Sequence, residues 1–304
     1  MTSTANVVNK FVSEVIDACS GVIKDSDETG ERPERLYHFT GTEGFTGIIT
    51  SRCLWSSLAT ALNDAEEVRH GIEIIKAIVA GRLAKVPTPY DRALAQCLDD
   101  PTHGHFGVSY DVSAFVISFC GRCDKASQWL HYCRSGTGVA LGFTTELEQV
   151  IKRDLTRIDY DPVSQASRLE RLIDAGRSVL ARAGAPQPWM TEAAAHLVSI
   201  YAPALAVRMK HPSFVDEEEW RLVGVEVRRD GKSLTPPPAT GGFKWRRAGA
   251  ALVPYEELSF AHRLEALEEV VVGYSSSLGL DAVRLLLSEQ GMRPSVRRSD
   301  VPIR

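Results

Sequence analysis

The residues best equipped for chemistry stand in one stretch, Phe214 to Val227, where the chain reads F-V-D-E-E-E-W-R-L-V-G-V-E-V. Four acids precede a run rich in apolar and β-branched residues, a pattern that predicts a β-strand. Side chains alternate across a strand. Glu217, Glu219 and Arg221 then share one face, and Glu218, Trp220 and Leu222 the other. With Trp220 and Leu222 toward a core, the two carboxylates face either water or a cleft. In water they are a solvated strand end, the commoner fate of surface charge. In a cleft, neighbouring carboxylates drive each other's pKa values apart, and a guanidinium beside them favours the ionised form.

Other chemistry-bearing residues are scattered. His38 lies between two aromatics in L-Y-H-F-T; alone, such a histidine serves more often as a structural hydrogen-bonder than as a catalyst. Trp129 and Tyr132 are three apart, which on a helix reads as core. Cys120-x-x-Cys123 followed by His131-x-Cys133 offers four ligands for zinc. Only the first half has ligand spacing, and reduced cysteines are the plainer reading, so no metal is expected. The chain has no G-x-S-x-G, no Walker A loop and no G-x-G-x-x-G, which leaves hydrolase-elbow, P-loop and Rossmann readings unsupported.

Elements must position these residues. The chain has 304 residues, 44% of them apolar, enough for one large α+β domain. With 35 basic and 39 acidic residues, its net charge of −4 argues against a bulk polyanion binder. No apolar run approaches the roughly 18 residues of a membrane span, and no signal peptide is evident, so a cytoplasmic protein is expected. Val8, Phe11, Val12, Val15 and Cys19 recur at helical spacing. Short strands are predicted at Leu36–Thr40, Cys53–Ser57, Ala114–Cys120, Gly138–Phe143 and Arg157–Tyr160, then within A-L-V-P-Y, E-V-V-V-G-Y and P-S-V-R-R-S. Thr40–Glu43 and Thr145–Glu148 have capping-box spacing, and Asp64 with Glu67 reads as an N-cap. Asp99–Gly107 and Gly231–Gly242 read as loops. Residues 162–210 read as helical with a break near Ala183–Pro188. They separate the early strands from Glu219 by far more than a normal connection, so they form a helical insert.

In order along the chain stand Y-H-F-T, L-W-S-S, N-D-A-E-E, I-S-F-C, S-Q-W-L-H-Y, D-E-E-E-W-R and V-V-V-G. This ordered set resembles the bacterial domain-of-unknown-function family 2971. The likeness runs from about Leu36 to the C-terminus and leaves residues 1–35 and 162–210 outside it. Cys120 and Cys123 depart from the small or polar residues expected there. The family in turn is similar to a divergent ADP-ribosyltransferase fold. That implies a single domain over residues 1–304, with a split mixed or antiparallel sheet core flanked by helices, an N-terminal helix and loop at 1–35, and the insert at 162–210.

The resemblance also implies a chemistry. NAD would be the substrate, and cleavage of its nicotinamide–ribose bond passes through an oxocarbenium-like state. Glu219 would stabilise the ribosyl cation, His38 would orient the sugar, and Glu217 would orient or deprotonate an acceptor. Thr40 and one of Ser56, Ser57 or Ser118 would supply hydrogen bonds. Tyr37, Trp129 or Tyr132 would stack on nicotinamide. Arg221 would pair with an acid or meet a phosphate. Three readings stay open: an ADP-ribosyltransferase acting on a protein or nucleic acid, as a toxin or phage-defence effector would; an NAD glycohydrolase; and a non-catalytic binding module on the same fold.

Overall fold

The computed structural model describes residues 2–25, 31–61, 65–100, 110–133, 135–229, 232–233, 243–248 and 251–302. In chain order the elements are α1 (Thr2–Asp25), β1 (Arg35–Thr40), α2 (Thr42–Ser51), β2 (Cys53–Leu58), α3 (Ala65–Leu83), α4 (Pro89–Asp99) and β3 (Tyr110–Cys120). Then come α5 (Ala126–Tyr132), β4 (Val139–Thr144), α6 (Leu147–Ile151), β5 (Asp154–Arg157), α7 (Pro162–Arg182) and α8 (Pro188–Ala206). The rest are β6 (Glu219–Arg229), β7 (Lys232–Ser233), β8 (Lys244–Ala248), β9 (Ala251–Ser259), β10 (Leu267–Val272), α9 (Leu280–Glu289) and β11 (Ser295–Arg298).

β3 is the hub of a mixed open sheet. Its near-continuous apolar run, A-F-V-I-S-F-C, suits a strand buried on both faces. One edge pairs with β6 along its whole length, from Tyr110↔Arg229 to Cys120↔Glu219. A strand has only two edges, so two partners share the other. β1 meets it at Tyr37↔Cys120. β2 meets it at Ser57↔Val116 and Leu58↔Phe115. The sheet therefore forks. One arm runs through β1, β4, β10 and β11, and the other through β2, β9 and β8. β10 with β11 is the parallel pair among antiparallel ones. Between the arms, no strand among the described residues lies beside the edge of β3 at residues 117–119.

Helices cover both faces. On one, α1, α3, α4, α7 and α8 share a core that includes Phe11, Val15, Cys19, Leu94, Leu169 and Val198. Phe11, Val15, Cys19 and Ile23 fall four apart on α1, the spacing of one helix face. The end of α8 packs on the sheet through Ala206 and Val207 against Val116 and Val223. On the other face, α2, α6 and α9 bury Phe45, Ile49, Leu147, Val150 and Leu287 against Leu36, Ile117, Leu141 and Leu222. The helical pair at 162–210 is thus the inner part of one whole layer, and the chain is not helical at 183–187.

Several local expectations need correction. α2 starts at an N-cap of Gly41 with no side-chain cap, and α6 starts after Glu146, also uncapped by a side chain. Thr144 Oγ1 instead accepts the Glu146 N–H at 3.3 Å. A full capping box forms elsewhere, at Thr88 and Asp91 before α4. The strand expected at Arg157–Tyr160 is displaced to Asp154–Arg157, because β5 pairs with β6 there and the chain then bends to bridge Asp159 to Met209. The Asp64 cap, most of the Asp99–Gly107 loop and most of Gly231–Gly242 lie outside the described residues. Lys232–Ser233 pairs with β6.

The position of α8 depends on close approach to α3. A Cβ built on Gly71 would sit 2.4 Å from Ala206 Cβ, whereas one on Gly81 of the same helix meets nothing within 4 Å. Alanine at each site gains helix propensity worth up to about 1 kcal/mol. Only at Gly71 does overpacking, typically about 1–3 kcal/mol, oppose it. Chemical denaturation is expected to show Gly81→Ala stabilised and Gly71→Ala destabilised.

Candidate active site

The gap in the fork is the mouth of a cleft of about 270 Å³. Its walls come from both arms and from the hub. β1 gives Tyr37, His38 and Phe39, β2 gives Trp55 and Ser57, and β3 gives Val116 through Cys120. α5 contributes Gln128 and Tyr132, the approach to β6 contributes Glu217 and Glu219, and β8 contributes Arg246.

Glu219 opens β6 and is buried at 5% exposure. Its carboxylate accepts Arg221 Nε at 2.6 Å on Oε1 and Arg221 Nη2 at 3.0 Å on Oε2. Lys210 Nζ donates to Oε2 at 3.1 Å. Burial pushes the pKa up, but Arg221, Lys210 and a hydrogen bond from the Ser118 side chain outweigh it and hold the group at about 2. The backbone is anchored too, since Glu219 N–H donates to Tyr160 Oη at 3.1 Å. Arg221 is itself buried and donates through Nη1 to the Val207 carbonyl at 2.8 Å. Glu219 is therefore an anion throughout the physiological range, rigidly held at the bottom of an open cleft.

Glu217 reaches the same cleft by a different route from the one expected. The strand begins at Glu219; Pro212–Glu217 form a 3₁₀ turn that ends where Glu218 adopts φ 46°, ψ 45°. This left-handed backbone costs an L-residue roughly 1–2 kcal/mol. Glu218 is held there by Arg122 at 2.7 Å and Lys125 at 3.1 Å. Strand alternation thus does not extend to Glu217. Lys210 joins the two acids instead, donating to Glu217 Oε2 at 2.5 Å. The Glu217 carbonyl accepts Cys120 Sγ–H at 3.3 Å.

His38 faces these acids from β1. Its Nδ1 lies 3.0 Å from the Ser118 carbonyl, on the stretch of β3 edge that no strand pairs. A carbonyl only accepts, so Nδ1 carries the proton and Nε2 holds a lone pair. Desolvation lowers the His38 pKa, and the Ser118 contact only partly opposes it. The ring is thus a neutral acceptor at neutral pH. Tyr37 Oη is committed to Glu269 at 2.8 Å.

Four expected residues stand off the cleft. Thr40 lies at the far end of β1, paired with Val139, and its carbonyl accepts Cys133 Sγ–H. Ser56 points to the opposite face from Trp55 and Ser57 and is fully buried. Ser57 and Ser118 are the serines on the wall. Trp129 is fully buried, edge-on to Phe39, with Nε1 donating to Asp124 Oδ1 at 2.9 Å; the core reading of that helix holds for Trp129. Arg221 lies under the cleft and pairs with Glu219. Burial raises the Cys120 and Cys133 thiols to about 11 and about 12, and each donates to a carbonyl. Among the described residues, no group of three or more His, Cys, Asp or Glu could hold a metal. Also among them, no helix is long and apolar enough to cross a membrane.

Sequence reasoning missed Lys210, Gln128, Trp55 and Arg246. Lys210 had one signal: with Arg208, it is one of two cations between an apolar helix and the acid run. Arg246 had none, because nothing in the sequence reveals that β8 folds back toward β2.

Three outcomes follow. Neutralising Glu219 takes the carboxylate from buried Arg221 and leaves Lys210 with only Glu217 of the two acids, so Glu219→Gln should cost about 3–5 kcal/mol in denaturant unfolding. The pH dependence has a definite sign. The folded pKa lies below 4.5, so the pair's stabilisation is complete above pH 4.5 and is lost as pH falls toward 2. Nitrogen-15 NMR of His38 should show the Nδ1–H tautomer with a titration midpoint below 6.5.

Residues 128–222, from α5 to the start of β6, match the family described as protein of unknown function (DUF2971). The matched span runs through α7 and α8 and contains Gln128, Tyr132, Lys210, Glu217 and Glu219. No curated protein and no solved structure matches the chain. Over that span the chain is similar to this family, which supports the family the ordered motifs suggested; the match corrects their placement, because it takes in residues 162–210, which the motifs had left outside.

Proposed function

We propose that the fork binds NAD, cleaves its nicotinamide–ribose bond and transfers ADP-ribose to a macromolecular acceptor. One observation carries the reading: a buried, permanently ionised carboxylate, Glu219, and a neutral acceptor imidazole, His38, share the walls of one open cleft. A forked, largely antiparallel sheet with its gap at the hub strand is also what an ADP-ribosyltransferase-like fold would need.

The chemistry follows from charge. The glycosidic C–N bond breaks, its electron pair leaves with neutral nicotinamide, and positive charge develops on the ribose. An anion already fixed beside that charge lowers the barrier without reorganisation. Glu219 suits this role better than acid catalysis, because a carboxyl with a pKa of about 2 holds no proton to give. His38 Nε2 accepts from a ribose hydroxyl. Ser118 holds Glu219 and so fixes the carboxylate's aim. The acceptor then attacks the anomeric carbon and loses a proton, for which Glu217 is the nearby base. A second reading, in which water is the acceptor and the protein is an NAD glycohydrolase, uses the same Glu219 and His38 in a cleft open to solvent.

Adenine-labelled NAD, incubated with purified protein and cell lysate, separates these readings. Transfer predicts a labelled macromolecule together with free nicotinamide, and hydrolysis predicts nicotinamide with free ADP-ribose. Glu219→Gln, checked for folding by circular dichroism, should lose about 100- to 1,000-fold in nicotinamide release. Glu217→Gln should suppress labelling more than release. Wild-type protein that binds NAD but leaves it intact would point to the non-catalytic module.

A further inference from the structure

The cleft has a second pole, opposite the acids, that the cleavage chemistry does not use. Arg246 comes from β8, two strands beyond β2, and its side chain returns over β9 so that Nη2 donates to Ser57 Oγ at 3.3 Å. Its Nε is buried and has no hydrogen-bond partner among the described residues. A buried, unsatisfied N–H on a guanidinium is costly unless an acceptor fills it. The other cations beside the cleft are committed: Lys210 and Arg221 hold Glu217 and Glu219. Lys244, on the same face of β8 as Arg246, pairs with Glu257 at 2.7 Å. No carboxylate pairs with Arg246 among the described residues. Trp55 lies two residues before Ser57 on β2 and so shares its face. The residue is 44% exposed, and its ring is backed by Tyr255 at 4.5 Å and 33°. A large, flat, half-exposed ring beside a guanidinium with donors to spare suits a base joined to a phosphate.

We infer that Arg246, Ser57 and Trp55 form a nucleoside-diphosphate subsite, with Arg246 on the phosphates and Trp55 stacked on the base. β2 lies two strand spacings, about 10 Å, from β6, and Ser57 stands four residues, about 13 Å, along β3 from the level of Glu219. The span between this pole and Glu219 is therefore that of an extended dinucleotide, as NAD is, and exceeds that of a single sugar. The inference deepens the NAD reading of the cleft and rests on it for the identity of the whole ligand. It fixes the ligand's direction, with the diphosphate toward β8 and the reacting sugar toward β6.

Calorimetric titration of the purified full chain with ADP, inorganic pyrophosphate and adenosine tests it. Arg246→Gln should weaken ADP and pyrophosphate at least tenfold and leave adenosine unchanged. Trp55→Ala should weaken ADP and adenosine and leave pyrophosphate unchanged. Equal ADP affinity in wild type and Arg246→Gln overturns the subsite, as does a wild type that binds neither ADP nor pyrophosphate. NAD cleavage at unchanged KM in Arg246→Gln also overturns it and leaves the proposed cleavage standing. Arg246-dependent ADP binding by a protein that never turns over NAD upholds the subsite and removes the cleavage.

Discussion

The Glu219 carboxylate, clamped by Arg221 and Lys210, is the interaction on which the rest of the site depends. It joins three parts of the chain that sequence separates. Arg221 belongs to the same strand, Lys210 follows the helical layer, and Ser118 belongs to the hub strand. Each cation is nearly inaccessible to water, so each needs the acid as much as the acid needs them. The arrangement fixes an ionised carboxylate, balanced by its cations, at the floor of a cleft instead of on an outer surface.

The fork makes that floor reachable. A strand paired along both edges would have sealed the middle of β3, and Ser118 would then have given its carbonyl to a neighbouring strand. Because β1 and β2 meet β3 at different heights, the carbonyl turns to His38 instead. One backbone group left without a strand partner thereby sets the tautomer of an imidazole. The helical layer has a matching role. α8 packs on β3 through Ala206 and Val207 and delivers Lys210 a few residues later, so residues that look like a structural addition supply part of the charge network.

Much of this was legible in the sequence, for identifiable reasons. β3, β4 and β10 announce themselves as apolar runs of strand length, and buried strands have no other use for such runs. The alternation around Trp220 correctly places Glu219 and Arg221 on the face away from Trp220 and Leu222. It fails at Glu217, because the chain changes handedness at Glu218 and ends the two-residue period there. The helix starts were misread because capping-box spacing predicts only that a side chain could cap; Gly41 and Glu146 stand at the N-cap positions and make no side-chain cap. Trp129 and Tyr132 look alike in sequence, yet only one turns to the cleft, a difference set by the docking of α5 on Phe39. Arg246 was invisible because it depends on tertiary geometry alone.

Selective carbon-13 labelling of the Glu219 carboxyl, followed by NMR, tests the central claim most directly. The account predicts a resonance at the ionised position from pH 8 down to pH 4, which shifts when NAD is added. A resonance that titrates in the ordinary carboxylate range and ignores NAD would contradict it.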